Sequence, residues 1–322
     1  MVATGRWILR QPMMTRVLIG LLPLAVWAIR LYGWRIVAML ALANATGFLT
    51  EWLFCRAWKQ PVSSAVFVTA TLLVFGLTPA APLWMAVLGT LFALVFGKMA
   101  FGGFGRNVFN PALTGRAFLY LSFGAVMTAR WSVPFSGALE AFTQWAPDAV
   151  THATPGMLLR SGTDISLSTL FFGLKPGTIG GCSPFLAILG GLYLIATRTA
   201  NYRIPLAALV GFFLVHTLFW KLGLGKAAHP AMTAMAGSFL VAIFFYATDP
   251  VSAAQTEPGR WIYGFLVGAL SSVIGTFSVW PAGTMFAILL ANMFAPLLDW
   301  AIRQRAAPKA PALAGPLTGA AP

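Results

Sequence analysis

Residues 82–116 read PLWMAVLGTLFALVFGKMAFGGFGRNVFNPALTGR, an apolar run that leads into a glycine-rich stretch and an Asn-Pro step. The run over 82–101 has the length of about 20 residues that an α-helix needs to cross a bilayer. A proline removes a backbone donor and biases the preceding residue away from helix, so we expect a break at Asn110-Pro111. Irregular backbone at membrane depth survives only where it is packed in protein or lines a cavity. The stretch therefore predicts a membrane helix followed by an enclosed break in the backbone.

The composition of the whole chain also indicates a membrane protein. Hydrophobic residues make up 59% and charged residues 9%, with a mean hydropathy of +0.81. Soluble domains have roughly 45–50% apolar and about 25% charged residues. Because only 7 Asp and Glu accompany 21 Lys and Arg in 322 residues, lipid must cover most of the surface. Membrane orientation then explains the net charge of +14 better than nucleic-acid binding does, and no nucleic-acid partner is expected.

Apolar runs of about 17–25 residues predict an all-α polytopic fold with about ten transmembrane helices. The third and fifth runs are short and broken by Gly or Pro, so the count could be off by one. The ten predicted spans cover 16–33, 36–55, 62–78, 82–101, 112–128, 183–198, 203–221, 230–248, 260–280 and 283–302.

The basic residues predict the orientation. Positive charge collects on the cytoplasmic side of membrane proteins. With both termini cytoplasmic, most of the 21 Lys and Arg fall on that side, and Arg116 lies inside the fifth span. The minority on the outer side are Arg30, Arg35, Arg130, Arg160, Lys175, Lys221 and Lys226. This orientation places residues 129–181 outside.

A second break resembles the first and predicts two related halves. Residues 246–253 read YATDPVSA and follow the eighth span, much as 105–116 follow the fourth. Paired broken segments in two halves indicate a site at the repeat interface. The alternative is that both are ordinary loop caps, since Asn and Asp are good turn formers. We expect one membrane domain over 1–305, made of repeat one (about 16–128), an external loop (129–181) and repeat two (about 183–302), with a disordered Ala/Pro/Gly-rich tail over 306–322.

The external loop carries the most informative motif, DAVTHATP over residues 148–155. The pattern Asp-Ala-x-Thr-x-Ala-Thr resembles the signal read by flavin transferases, which esterify the final threonine to the phosphate of FMN. On this resemblance Thr154 carries covalent FMN, and Asp148 and Thr151 belong to the acceptor loop. Asp148 would orient the loop or hold Mg²⁺ in the transferase complex; a plain loop carboxylate is the alternative.

Three further stretches carry a resemblance to a family. They are GKMAFGGFGRNVFNPA over 97–112, ATDPVSA over 247–253 and AILLANMFAPLLD over 287–299. All three resemble signatures of the RnfD/NqrB family, which comprises RnfD of the Rnf electron-transport complex and its paralogue NqrB of the Na⁺-translocating NADH:quinone oxidoreductase. They occur in family order, and the likeness runs from about residue 10 to residue 305.

The resemblance implies a fold, a cofactor and partners. The fold is a urea-transporter-like core of two five-helix repeats in the bacterial inner membrane. The function is electron transfer within an ion-translocating (Na⁺ or H⁺) oxidoreductase complex, and this chain is catalytic only as part of that complex. The cofactor is FMN on the outer side, with a second flavin, riboflavin, toward the cytoplasm near the first signature. The partners are the other proteins of the complex, including an external-face flavoprotein, and the flavin transferase.

The candidate residues of the inner site belong to the two breaks. Gly103, Asn107 and Asn110 come from the first signature and Asp249 from the second. The glycines would let backbone amides approach a ring edge or an anion, though a tight helix connection explains them equally well. The charge of Arg116 costs free energy inside an apolar span unless the side chain has a partner. It would pair with Asp249 across the repeat or hold a flavin or quinone oxygen, and we favour the pair.

Two departures from the family pattern bear on ion pumping. The families commonly show Asp-Gly-Ser-Ala near the third span, where this chain has Ser63-Ser64-Ala65. They commonly show Gly-Ser-x-Gly-Glu after the flavin loop, where residues 177–181 lack the carboxylate. Since intramembrane carboxylates carry cation traffic, an electron carrier without coupled ion transport is one alternative. A channel or transporter without redox chemistry and an assembly protein without cofactor are the others.

Other cofactor chemistry is not indicated. The two cysteines, Cys55 and Cys182, have no Cys-x-x-Cys spacing and fall near different membrane faces, so neither an iron–sulfur motif nor a disulfide is expected. No dinucleotide fingerprint is present, so NADH oxidation would occur on another protein of the complex. A metal site at His216 or His229 is not expected.

Overall fold

The computed structural model describes residues 8–129, 131–135, 137, 143–147, 149–150, 154–278 and 283–306. The helices of the first half are α1 (Pro12–Tyr32), α2 (Arg35–Trp58), α3 (Ala65–Phe75), α4 (Leu83–Gly97), α5 (Pro111–Ser122) and α6 (Gly124–Ala129). A 3₁₀ turn, Met99–Phe101, extends α4.

The segment between the two halves contributes two short helices, and the second half contributes the remainder. The short helices are α7 (Pro155–Arg160) and α8 (Leu167–Phe172), followed by a 3₁₀ turn, Gly180–Cys182. Next come α9 (Pro184–Ala196), α10 (Arg203–Lys221), the 3₁₀ turn Leu224–Lys226, α11 (Pro230–Ala236), α12 (Phe239–Val241) with a π-helical turn (Ala242–Tyr246), α13 (Glu257–Phe277) and α14 (Gly283–Ala306). The tail residues 307–322 lie outside the described residues.

The membrane prediction is confirmed at the level of a multi-pass helical protein. Among the described residues, six helices are long and apolar enough to span a bilayer: Pro12–Tyr32, Arg35–Trp58, Leu83–Phe101, Arg203–Lys221, Glu257–Phe277 and Gly283–Arg305. Two shorter apolar helices, Ala65–Phe75 and Pro184–Ala196, lie where the third and sixth spans were predicted. Helical residues occur in all ten predicted spans, but ten membrane crossings in two repeats remain a prediction.

Two details differ from the prediction. The eighth span, predicted to run continuously over 230–248, is interrupted at Gly237-Ser238, where Gly237 adopts extended backbone between α11 and α12. The apolar pattern hides this break because the residues on both sides are apolar. Two small sheets also occur: β1 (Ile8–Leu9) pairs in parallel with β2 (Val62–Ser63), and β3 (Trp131–Ser132) pairs antiparallel with β4 (Ala149–Val150).

Small residues allow the helices to approach closely, as is typical of helix packing in membranes. A methyl group on Gly268 of α13 would lie 1.9 Å from the carbonyl oxygen of Ala208 on α10. A methyl group on Gly190 of α9 would lie 2.4 Å from the carbonyl oxygen of Gly20 on α1. The α1–α9 contact joins the two halves of the chain, and one continuous hydrophobic core contains residues of both.

Candidate functional site

A cavity lies where the two broken segments meet, between α1, α3 and the end of α9. The total atom-free volume, including the open mouth of the cavity, is ≈ 660 Å³. The volume in which the centre of a water molecule can lie is ≈ 60 Å³. Since one water needs roughly 10–15 Å³ of such space, the inner part has room for several waters. Its polar wall consists of Lys98, Asn107, Asn110, Thr248 and Asp249, and Met14, Phe104 and Phe245 supply apolar surface.

The glycine-rich stretch forms a tight turn beside this cavity. Gly102, Gly103 and Gly105 have φ values of +99°, +98° and +87°, in the left-handed region that favours glycine. The amide of Gly103 donates to the carbonyl of Lys98 at 3.1 Å, which closes the turn. The turn brings Phe104 to the cavity wall and places the ammonium of Lys98 5.7 Å from the centre of its ring.

Asn110 joins the first break to the second. Its side chain caps α5 by accepting from the amide of Leu113 at 3.3 Å, and its Nδ2 donates to the carbonyl of Tyr246 at 3.2 Å. In the amide orientation that satisfies its neighbours, Asn292 of α14 accepts from the Asn110 amide at 3.1 Å and donates to Tyr263 Oη at 2.7 Å. Asn110 of the first signature stretch therefore contacts the third stretch at Asn292 and the second break at Tyr246, one residue before the second stretch.

The second break is held by local hydrogen bonds. Asp249 accepts from Ser252 Oγ at 2.7 Å and from the amide of Val251 at 3.3 Å. Thr248 Oγ1 donates to the carbonyl of Phe244 in the π-helical turn at 2.6 Å. π-Helical turns are rare and frequent at functional sites. The carboxylate of Asp249 therefore stabilises the turn that follows the broken helix and lines the cavity at the same time.

A buried ion pair lies at the cavity's edge. Lys98 Nζ is 2.7 Å from Glu51 Oε2 of α2, and each side chain is 2% exposed. The other carboxylate oxygen of Glu51 accepts from the amide of Ser63 at 2.9 Å. The sequence analysis did not predict this pair. The position of Glu51 inside an apolar span could have indicated it, because a carboxylate there needs a partner.

The predicted pair of Arg116 and Asp249 is wrong. The ion pairs between described residues are Lys98–Glu51 and Arg203–Glu257, and Asp249 is satisfied by its own turn. Arg116 is buried outside the cavity lining, with its Cδ against Gly76 and its guanidinium 5.7 Å from the ring centre of Tyr120. Its Nε has no hydrogen-bond partner in the part of the chain that the structure describes. An aromatic face partly replaces the counter-ion in this position.

Thr154 is the residue before helix α7, in the segment between the two halves of the chain. Its side chain accepts from the amide of Met157 at 3.4 Å, which is the hydrogen bond expected of an N-cap threonine. Helices α7 and α8 pack against α11 through a cluster of Leu159, Leu170 and Ala236. The motif threonine is therefore fixed to the broken helix of the second half. Asp148 and Thr151 lie outside the described residues.

Comparison with known proteins decides the family. The pattern of the NQR2, RnfD, RnfE family matches residues 8–307. The chain belongs to this family. An NqrB relative from the Na⁺-translocating NADH-quinone reductase of Neisseria meningitidis is 37% identical over 268 residues, 80% of this chain and 64% of that relative. The corresponding protein of Pseudoalteromonas atlantica is 38% identical over 277 residues, 82% of this chain and 66% of the relative.

A third relative matches along nearly its whole length. This RnfD relative, from the ion-translocating oxidoreductase complex of Pseudomonas aeruginosa, is 36% identical over 316 residues, 92% of this chain and 91% of that protein. By contrast, the chain spans less than two thirds of the Neisseria relative. These relatives confirm the resemblance that the signature stretches predicted.

The structure brings together part of the predicted site of this family member. Asn107, Asn110 and Asp249 line one cavity, and Gly103 lies in the turn beside it. Thr154 does not line this cavity and belongs to the segment that carries α7. Among the described residues no group of three or more His, Cys, Asp and Glu is arranged to hold a metal ion. Cys55 and Cys182 are both free, as the sequence predicted.

Proposed function

We propose that this protein is the membrane electron-transfer component of an ion-translocating oxidoreductase complex, with FMN bound as a phosphoester on Thr154. The observation that carries the proposal is the DAVTHATP motif, placed in a chain whose relatives are named as components of such complexes. When bound, the flavin supplies the redox chemistry, and the protein supplies its position and electrostatic surroundings.

The described residues around Thr154 fit this group. The hydroxyl is an acceptor in the N-cap bond, and the oxygens of a phosphoester are strong acceptors that could take its place toward the Met157 amide. Negative charge is also favourable at the start of a helix. A covalent bond would retain the cofactor without a deep binding pocket, and Thr154 itself is 9% exposed.

The membrane arrangement belongs to the same proposal. We infer ten crossings in two five-helix repeats, with both termini in the cytoplasm and Thr154 on the outer face of the bacterial inner membrane. The distribution of Lys and Arg and the helical residues in all ten predicted spans support this arrangement. Other proteins of the complex, an external-face flavoprotein and a flavin transferase are the partners it requires.

The cavity between the broken segments is the proposed place for a second, noncovalent flavin such as riboflavin. Lys98, Asn107 and Asp249 offer polar groups for a ring edge or hydroxyl chain, and Phe104 offers an aromatic face. The inner part is too small for a whole flavin, so the remainder would extend into the open mouth. Glu51 would keep Lys98 fixed at the wall.

The covalent cofactor is tested with variants that separate the hydroxyl from the helix cap. The chain is expressed with the flavin transferase and denatured in SDS, and in-gel flavin fluorescence is measured. Thr154→Asn keeps a good N-cap residue but has no hydroxyl to esterify, so it should insert normally and lose the fluorescence. Thr163→Ala, an exposed threonine of the same segment, should retain it.

The outcomes separate the competing functions. Fluorescence that persists in Thr154→Asn would refute the assignment of this threonine. A wild-type chain without covalent flavin, made beside an active transferase, would favour a channel or transporter without redox chemistry.

A further inference from the structure

Lys175 is a buried cation at the junction of the external segment and the broken helix. It follows α8 and is 2% exposed. Its Nζ donates to the carbonyl of Met235, in the last turn of α11. Its own carbonyl accepts from Tyr32 Oη of α1 at 3.1 Å. The side chain is therefore fixed between α1 and the end of α11.

No acidic group neutralises this ammonium among the described residues. The two ion pairs of the described chain involve other lysine and arginine side chains. The titratable groups that face Lys175 are the hydroxyl of Tyr32 and the thiol of Cys182. Burial raises the pKa of Cys182 to about 12, so the thiol supplies no negative charge near neutral pH. Burial in turn lowers the pKa of Lys175 to about 7.

The ammonium of Lys175 donates to a backbone carbonyl at the break between α11 and α12. Helix α11 ends at Ala236, so its last carbonyls, including that of Met235, lack partners within the helix. A second contact joins the same two parts of the chain three residues after Lys175. Here Thr178 Oγ1 lies 3.0 Å from the Oγ of Ser238, the residue after Gly237. Carbonyl and hydroxyl oxygens at the end of a broken membrane helix are the groups that hold transported cations in other membrane proteins.

We propose that the ammonium of Lys175 occupies the cation position at this helix break, so that the ion bound there is a proton carried by lysine and not Na⁺. The exchange is simple: the ammonium loses one proton to water and becomes a neutral amine, and no other bond breaks. The site does not depend on the proposed electron-transfer function. Only its significance for the coupled ion rests on that function.

The sign of the pH effect follows from the direction of the pKa shift. The unfolded chain binds the lysine proton up to about pH 10.5, whereas the folded chain releases it near pH 7. Stability should therefore rise with pH between these values. The melting temperature of the full chain in detergent should rise by ~5 °C between pH 6 and pH 9 from this residue.

The experiment compares three variants with the wild type. Lys175→Met has no charge at this position, so at both pH 6 and pH 9 it should melt near the temperature of the wild type at pH 9. Lys175→Arg stays charged, so at both pH values it should melt near the temperature of the wild type at pH 6. Lys226→Met removes an exposed lysine and should keep the wild-type profile. If Lys175→Met shows the same rise in melting temperature with pH as the wild type, Lys175 is not the titrating group and the proposal is wrong. If the Met variant does not fold, the same comparison with Lys175→Arg decides whether Lys175 titrates.

Na⁺ is the probe of the cation position. At pH 7 and equal ionic strength, replacing choline chloride with NaCl should leave the wild type unchanged and raise the melting temperature of Lys175→Met. Na⁺ stabilisation of the wild type, or none in Lys175→Met, would overturn the proposal. In-gel flavin fluorescence of the same samples reports separately on the covalent cofactor.

Discussion

Neutralising one partner of the Lys98–Glu51 pair should destabilise the protein strongly. The two side chains are each 2% exposed and 2.7 Å apart, so removing one leaves the other as a buried, unpaired charge. Such a change typically costs about 3–5 kcal/mol, whereas replacing both partners can be nearly neutral. At roughly 2 °C per kcal/mol for a chain of this size, Lys98→Met should lower the melting temperature by about 6–10 °C.

The assay is a double-mutant cycle in detergent. Glu51→Gln keeps an oxygen that can accept from the amide of Ser63, so the cycle isolates the charge. Glu51→Gln alone should lose a similar amount to Lys98→Met, and the double variant should recover most of it. If the double variant instead loses the sum of the two single effects, the ion pair contributes nothing and the reasoning fails.

Three further predictions concern packing, capping and topology. Gly268→Ala, where a methyl group would lie 1.9 Å from a carbonyl oxygen, should cost about 1–3 kcal/mol by thermal unfolding, while Gly275→Ala on the same helix meets nothing within 4 Å and should not destabilise. Asn110→Ala should cost about 0.5–2 kcal/mol from its helix cap alone, measured in the same way; an unchanged melting temperature would contradict its place at the centre of the site. Reporters fused after residue 140 and after Arg305 should lie on opposite sides of the membrane, external and cytoplasmic respectively, and two reporters on one side would refute ten crossings.

The sequence predicted the features that depend on local chemistry. Apolar runs located the helices because lipid exposure requires continuous apolar surface. Asn110-Pro111 located the first break, since proline removes a backbone donor and biases the preceding residue away from helix. The glycine-rich stretch indicated a tight turn, and the left-handed φ values of Gly102, Gly103 and Gly105 confirm it. Each of these features is determined by a few adjacent residues.

Features that depend on distant neighbours were missed or wrong. Glu51 and Lys98 are 47 residues apart, and nothing in either span identifies the partner. Arg116 and Asp249 come from the related breaks of the two sequence halves, but Arg116 packs against Gly76 and Tyr120 and not against Asp249. The break at Gly237 is also invisible in the apolar pattern, because Gly occurs within many membrane helices.

The central claim is that Thr154 carries FMN through a phosphoester. Its most direct test is mass spectrometry of the peptide that ends at Arg160, taken from protein made in cells with the flavin transferase. We predict a peptide heavier by FMN less one water, with fragment ions that assign the added mass to Thr154. An unmodified peptide, or a flavin on any other residue, would contradict it.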